Sequence, residues 1–362
     1  MTIGIDVSQV VYEGFGIATY TRKLVETLLT IDKENKYIFF FSSFRRNLKS
    51  KFEGAKVKKY RIPPSVLDIL WNKLHIIPIE TFTGDLTIFH SSNWTQPPAR
   101  AKKVTTVHDL LIYKYPETIH PKIISTQKRQ LEWVKKECDR IIADSNTTKR
   151  DIVEIMGIPE EKIKVVYLAP GEEFNVTLSE EKIQKVKDKY AITGEYLLTV
   201  GSQEPRKNLS RIIEAYSKIK QQIDISLVVA GNFRWGEKIK ETSGTKSIGF
   251  VDQSDLPALY GGAKVFVYPS LYEGFGLPVL EAQSTGCPVV TSDRGSLKEI
   301  VGDTAVVADP EDTQSVRRGI EKILSLDKKI LEDMKQKGIQ HARMFTWDNT
   351  ARQTLEVYKE LS

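Results

Sequence analysis

Two glutamates eight residues apart, Glu273 and Glu281, bracket the turn Gly274-Phe275-Gly276-Leu277-Pro278. An apolar run from Lys264 to Pro269 precedes the turn, Pro278 suits the first turn of a helix, and Gly286 suits its end. Strand, glycine turn and helix together aim backbone amides and a helix dipole at a phosphate. Carboxylates beside such a turn accept hydrogen bonds from hydroxyls. Phosphate and hydroxyls at one site are what a nucleotide sugar presents. A second group lies in Val200-Gly201-Ser202-Gln203-Glu204-Pro205-Arg206-Lys207-Asn208-Leu209. A strand should end at Val200, and Asn208 should N-cap the helix that follows. Arg206 offers a fork matched to phosphate and Lys207 a compact charge. Fixed cations stabilise the charge that a departing diphosphate gains. A third group, Thr105-Thr106-Val107-His108-Asp109-Leu110, sets a histidine–aspartate pair at a strand end. His75, His90, His120 and His341 read as structural or surface residues. Each group also has a plain alternative: surface glutamates, a solvated basic turn, a structural histidine.

Other chemistries find less support. Gly14-Phe15-Gly16-Ile17-Ala18-Thr19 is a dinucleotide fingerprint without its third glycine, and no acidic residue closes the strand Tyr37–Ser42. No Asp-x-Asp pair and no His/Cys cluster has ligand spacing, so no metal and no cofactor are expected. No lysine sits in a Walker-type loop, which argues against an NTPase. The two cysteines, Cys138 and Cys287, lack a basic neighbour and read as buried thiols in a reducing, cytoplasmic setting. The first residues enter a strand at once instead of forming a signal peptide, and no apolar run is long enough to span a bilayer.

With 362 residues, 40% of them hydrophobic and 28% charged, the chain fits a globular protein of two domains. Strand and helix patterns alternate throughout. Strands are expected at Ile3–Asp6, Tyr37–Ser42, Val57–Ile62, Thr87–His90, Val104–His108, Arg140–Asp144 and Lys164–Leu168. Helices are expected near Ala18–Leu29, Val66–Thr81, Pro121–Lys136 and Thr147–Met156. Ala169-Pro170-Gly171 reads as a linker. A second series has strands at Tyr196–Val200, Ser226–Ala230, Ser247–Phe250, Val265–Tyr268, Pro288–Ser292 and Ala305–Ala308. Its helices are expected near 180–190, 209–220, 253–261, 278–285 and 313–325, with two more, 329–343 and 347–361, closing the chain. The fold class is therefore α/β: two doubly wound, Rossmann-like parallel sheets, each with a crevice at the carboxyl ends of its strands, facing across a cleft. The domains are expected at 1–170, joined by a final helix within 346–362, and at 171–345. The pentapeptide Tyr12-Glu13-Gly14-Phe15-Gly16 recurs as Tyr272-Glu273-Gly274-Phe275-Gly276, so both crevices are expected to use a glycine turn.

Charge is uneven. Residues 1–172 carry 27 Lys and Arg against 20 Asp and Glu, and within 45–61 eight basic side chains face Glu53 alone. Such a cluster is a solvated face or a contact for an anionic membrane. Motifs that read bases are absent, so nucleic acid is not an expected partner.

Taken together, these motifs resemble the retaining glycosyltransferases of family 4, with the GT-B fold. Ile3-Gly4-Ile5-Asp6 with Gly14-Phe15-Gly16-Ile17 resembles the family's opening strand and loop. Val107-His108-Asp109-Leu110 with Pro116-Glu117 resembles its histidine motif, and Asp144-Ser145-Asn146-Thr147 its serine turn. Glu204-Pro205-Arg206-Lys207-Asn208 is similar to its diphosphate motif, and Glu273 to Glu281 to its E-x7-E signature. The form is most similar to bacterial mannosyltransferases of polysaccharide assembly. The resemblance implies that Arg206 and Lys207 hold a diphosphate and that Glu281 binds the ribose. It sets Glu273 by the donor sugar with amides from Gly274, Phe275, Gly276 and Leu277, and His108 beside the anomeric carbon. It gives Gly16 the close approach of the first domain's loop, and Phe250 and Val251 the base. It implies metal-independent, retaining transfer, with GDP-mannose the first donor to test. The acceptor would be a glycan or lipid-linked sugar, and residues 45–61 would meet the membrane's inner face. A nucleotide-sugar epimerase, a phosphorylase and a non-catalytic sugar-nucleotide-binding protein are the rivals. A phosphorylase needs a pyridoxal-phosphate lysine that no motif supplies.

Overall fold

The structure is a computed structural model that describes residues 1–12, 16–232 and 243–362. Its chain forms two compact units, Met1–Leu168 with Trp347–Ser362, and Ala169–Thr346.

The first unit holds a seven-stranded sheet built from β1 (Thr2–Asp6), β2 (Lys36–Ser42), β3 (Ala55–Tyr60), β4 (Ile88–Ser91), β5 (Lys102–Val107), β6 (Arg140–Ala143) and β7 (Ile163–Val165). The order is β3-β2-β1-β4-β5-β6-β7, and every pairing is parallel. Parallel strands covered on both faces need near-continuous apolar runs. Ile3, Ile5, Phe39, Phe40, Val104 and Ile142 supply them and are buried. Helix Gly16–Ile31 turns Ala18, Tyr20, Thr21, Leu24, Val25 and Leu28 inward, an apolar stripe at helical spacing. The final helix, Trp347–Lys359, packs on it, with the Tyr20 and Trp347 rings 6.3 Å apart.

The second unit holds β8 (Tyr196–Val200), β9 (Ser226–Ala230), β10 (Thr245–Gly249), β11 (Val265–Tyr268), β12 (Val289–Ser292) and β13 (Val306–Ala308). They form a parallel sheet in the order β10-β9-β8-β11-β12-β13. Its core joins Leu197, Val267 and Val290 from the strands to Ile212, Tyr216 and Ile320 from the helices Leu209–Ile219 and Thr313–Leu324. In both sheets the winding reverses beside the first strand, between β1 and β4 and between β8 and β11. Loops leaving neighbouring strands in opposite directions open a crevice at that point.

One expected helix is absent. Residues 66–81 form a short helix Pro64–Leu67, a π-helical stretch Asp68–Lys73 and a separate turn Glu80–Thr83. His75 and Ile77 have φ of 50° and 62°, a left-handed backbone that breaks the helix. Pro78 excludes the helical conformation from the residue before it. Trp71, fully buried against Phe40 and Phe82, donates its indole N–H to the Ile77 carbonyl at 3.0 Å and holds the chain folded back. Residues 13–15 of the repeated pentapeptide lie outside the described residues. Among the described residues no helix is long and apolar enough to cross a membrane.

Candidate active site

The reversal in the second sheet brings the basic turn and the Glu273 turn to neighbouring strand ends. The loop after β8 carries Arg206 and Lys207, the loop after β11 carries Glu273, and these two strands are neighbours. Arg206 Nη1 lies 2.8 Å and Lys207 Nζ 2.7 Å from the same atom, Glu273 Oε1, and the Tyr268 hydroxyl donates to it at 3.0 Å. Lys207 Nζ also contacts the Tyr268 hydroxyl and sits 4.7 Å from the centre of that ring. On its other side Arg206 Nε pairs with Glu204 Oε2 at 3.1 Å, and Glu204 accepts from the Ser202 hydroxyl. Burial alone would raise the Glu273 carboxyl, yet Arg206 and then Lys207 hold it down to about 2. Burial lowers Lys207, and Arg206 lowers it further, against the pull of Glu273. Arg206 and Lys207, both half-buried, meet on one carboxylate oxygen, and with Glu204 on Arg206 the cluster sets two cations against two carboxylates.

The turn around Glu273 is braced from the next loop. Ser296 gives both its backbone N–H, at 3.0 Å, and its hydroxyl, at 3.1 Å, to the Glu273 carbonyl, and its hydroxyl also reaches the Phe275 carbonyl at 2.7 Å. Gly295, with φ of 59°, lies so close that a Cβ would strike the Glu273 backbone. Gly276 has φ of 100° and precedes helix Leu277–Ser284, with Pro278 in its first turn and Gly286 in the left-handed region beyond its end. Asn208 departs from the expected N-cap. Its φ is 62° and its side chain makes no cap bond. Instead its Nδ2 donates to the Pro269 carbonyl at 3.0 Å and the Pro310 carbonyl at 2.6 Å, tying the basic turn to the chain beyond β11 and β13.

Glu281 stands apart from Glu273. It accepts from the Tyr260 hydroxyl at 3.1 Å, and burial pushes its carboxyl up to about 7. The rings of Tyr260, Phe266 and Tyr268 run between the two carboxylates, with centroids 5.1 and 5.4 Å apart. Phe250 and Val251 follow the edge strand β10: the Phe250 ring is 59% exposed and Val251 is buried.

His108 and Gly16 belong to the first unit. Gly16 begins its helix with open space where a Cβ would be. His108 follows β5, but its partner is not the adjacent aspartate. Asp109 instead accepts the Leu111 N–H at 2.9 Å and starts the short helix Leu111–Lys114. The carboxylate on His108 is Asp144, whose Oδ2 lies 2.6 Å from Nδ1. Strands β5 and β6 pair Val107 with Ala143, so the residues just beyond, 108 and 144, emerge side by side. Ser145 caps helix Asn146–Met156, and Thr148 Oγ1 reaches the His108 carbonyl at 3.3 Å, which locks the two strand ends together. Burial pulls the imidazole down and Asp144 more than offsets it, so His108 titrates above the usual range. The proton stays on Nδ1 and leaves Nε2 for other work. A buried chain of hydroxyls backs this pair: Tyr20 packs edge-on to His108 at 4.7 Å and bonds to Thr106, which bonds to His90, which bonds to Tyr358 on the final helix. Burial and then the charge of His108 push His90 down to about 3, so it stays neutral and structural. Cys138 and Cys287 are buried thiols pushed up to about 12, unsuited to nucleophilic work.

Residues 16–169 match Glycosyltransferase Family 4, and residues 180–341 match Glycosyl transferases group 1. O-antigen chain mannosyltransferase B of Escherichia coli is 34% identical over 286 residues, covering 76% of this chain and 74% of that protein. The chain belongs to these glycosyltransferases. The serotype-specific mannosyltransferase WbdA of E. coli is also 34% identical, over 239 residues that cover 62% of this glycosyltransferase and 29% of WbdA. In three dimensions the enzyme is similar to sucrose-phosphate synthase from Thermosynechococcus elongatus, with a TM-score of 0.76 and 17% identity over 100% of this chain and 99% of the other. HepE of Anabaena in complex with UDP-glucose has a TM-score of 0.72 at 15% identity, covering 99% of this chain and all of that one. The fold is therefore GT-B.

Sequence reasoning named Arg206, Lys207, Glu273 and Glu281, quoted Asp144 only within the serine turn and paired His108 with Asp109 instead, and gave no role to Tyr268, Tyr260 or Ser296. Asp144 was within reach, because adjacent parallel strands deliver their last residues to one place. Both tyrosines lie in apolar segments, where a core role accounts for them equally well.

Proposed function

We propose that this glycosyltransferase moves mannose from GDP-mannose to a glycan or lipid-linked acceptor in surface polysaccharide assembly, with retention at the anomeric carbon and without a metal ion. The observation that carries the reading is the Arg206–Lys207–Glu273 cluster at the reversal of the second sheet. Arg206 and Lys207 hold the diphosphate and stabilise the charge it gains on leaving. Glu204 and Glu273 hold these cations in place, and with donor bound Glu273 accepts from a sugar hydroxyl. The amides of the 274–277 turn add to the phosphate contacts, Glu281 receives the ribose hydroxyls, and Phe250 and Val251 take the base. Gly16, without a Cβ, lets the first unit's backbone approach the donor closely. His108, its Nε2 free of Asp144, hydrogen-bonds the sugar near the anomeric carbon. The acceptor hydroxyl attacks the face from which the diphosphate departs, through an oxocarbenium-like state, and passes its proton to the leaving phosphate oxygen. The cations take the electrostatic part that a divalent ion plays elsewhere. The names of the E. coli relatives support mannose and O-antigen-type acceptors. Exposed Arg45, Arg46, Lys49, Lys51, Lys56, Lys59 and Arg61 support contact with the anionic inner face of a membrane.

A thermal-shift panel of GDP-mannose, UDP-glucose, UDP-GlcNAc and a dTDP-deoxysugar tests the donor, since a ligand of the folded state raises Tm. GDP-mannose should give the largest shift. Transfer from it to a mannosyl acceptor should yield an α-linked product by NMR, at a rate unchanged by EDTA. A larger shift with a UDP sugar would overturn the donor, a β-linked product the stereochemistry, and inhibition by EDTA the metal-free mechanism.

A further inference from the structure

The first unit contains a second basic site that the transfer reaction as described does not use. A cavity of about 410 Å³ lies between the 3-10 turn Ser8–Val11, helix Gly16–Ile31 and the segment after β2. Arg22, Arg46 and Lys49 line it, no carboxylate among the described residues does, and its size is that of a ligand pocket. Both guanidinium groups are held in place. Arg46 Nη1 donates to the Val11 carbonyl at 2.8 Å while its plane lies 4.8 Å from the Tyr12 ring centre. Arg22 Nη2 donates to the Val10 carbonyl at 3.2 Å. Arg22 Nε is buried with no acceptor, and a buried donor left unmade costs stability that a ligand would recover. None of the three cations is in an ion pair among the described residues.

We infer that this cavity binds the phosphate or diphosphate group of the acceptor. Two anchored forks and a lysine, with no opposing acid among the described residues, suit a compact dianion better than a neutral glycan. The placement fits an acceptor subsite. Gln9 and Thr21, the chain neighbours of Val10 and Arg22, line the small cavity that reaches His108. A phosphate held by Arg22 and Arg46 therefore rests against the same turn and helix that line the His108 cavity. The identity of the ligand as an acceptor rests on the proposed transfer reaction; the anion site itself does not.

Calorimetric titration of inorganic pyrophosphate into the full chain carrying Lys207→Gln, which weakens the second unit's anion site, isolates this cavity. Adding Arg22→Gln should weaken binding about tenfold or more. Adding Lys49→Gln instead, an exposed change that leaves the fold alone, should weaken it several-fold. Unchanged affinity in both would overturn the site. Cosedimentation separates the ligand's sources, using phosphatidylcholine vesicles carrying a polyprenyl diphosphate and vesicles of equal charge made with phosphatidylglycerol. Arg22→Gln should abolish binding to the first and spare the second if the diphosphate is lipid-borne. If it spares both while pyrophosphate affinity falls, the ligand is a free phosphorylated sugar. Equal loss on both would reduce the cavity to surface charge and overturn the inference. The donor's thermal shift reports the other unit. Its absence alongside Arg22-dependent pyrophosphate binding would remove the donor assignment and leave this site standing.

Discussion

Glu273 and Glu281 are joined by one turn and the start of one helix, yet their carboxyls sit at about 2 and about 7. The first has two cations on one oxygen; the second has burial and a single tyrosine hydroxyl. For Glu281 the folded pKa lies above the unfolded value, so the folded state binds the extra proton. Its contribution is neutral below about pH 4 and becomes a cost as pH rises through about 7. Glu281→Gln should therefore raise stability at pH 8 by on the order of 2–3 kcal/mol and change it little at pH 4, measured as denaturation midpoints across pH. If Glu281 receives ribose hydroxyls as a carboxylate, donor binding expels that proton, and donor affinity should climb between pH 6 and 8 in the wild type but not in Glu281→Gln. The histidine pair has the same sign from a different cause: the Asp144 charge, not burial, raises His108, so its contribution to stability is likewise lost as pH rises. Asp144 raises His108, so Asp144→Asn should move the imidazole's titration to lower pH, visible in its NMR shifts. The variant should lose about tenfold to a hundredfold in kcat with little change in KM. A kcat loss without movement of the imidazole titration would make Asp144 merely structural.

At the scale of elements, the site depends on loops that strands deliver and glycines permit. Gly295 has a left-handed φ and touches the Glu273 backbone, while Ser296 beside it holds two carbonyls of the same turn. Gly295→Ala should force that turn away from Arg206 and Lys207, lowering stability by about 1–3 kcal/mol and donor affinity more than in proportion. Wild-type affinity in a stable Gly295→Ala enzyme would show that the turn's position is unimportant. The same level shows what could be read from the chain alone. Strands β8, β9 and β11 stand at their expected residues because buried parallel strands must be apolar throughout, and that pattern needs no tertiary information. The helix expected at 66–81 failed because its spacing is helical while Pro78 and the burial of Trp71 decide the backbone. Asn208 failed similarly: asparagine before a helix satisfies the rule for a cap, but carbonyls at Pro269 and Pro310 compete for its amide. Cations and glutamates were legible through spacing. Asp144 needed strand order, and the tyrosine hydroxyls needed the packed interior.

At the scale of the molecule, the chain forms two compact units, and the last helix belongs with the first sheet. Its hold there is partly polar. Tyr358 Oη meets His90 Nδ1 at 2.6 Å, Thr350 Oγ1 donates to the Tyr167 carbonyl at 2.7 Å, and Arg140 pairs with Glu360 at 3.3 Å. The first of these is buried, and a buried partner left unpaired costs about 1–3 kcal/mol, whereas an exposed ion pair contributes little. Tyr358→Phe should therefore destabilise the first unit by about that amount while leaving the core volume filled, and Glu360→Gln should change stability by less than about 0.5 kcal/mol. Scanning calorimetry with and without the donor nucleotide reads this by unit. The nucleotide should raise the transition of the second unit, which holds Arg206, Lys207 and Glu273, and Tyr358→Phe should lower the other. Because Tyr358 ends the hydrogen-bonded chain through His90, Thr106 and Tyr20 that packs on His108, the same variant should also lower kcat with donor affinity intact. A single transition that both perturbations shift together would mean that the units unfold as one, and the separation of donor binding from the histidine side would fail with it.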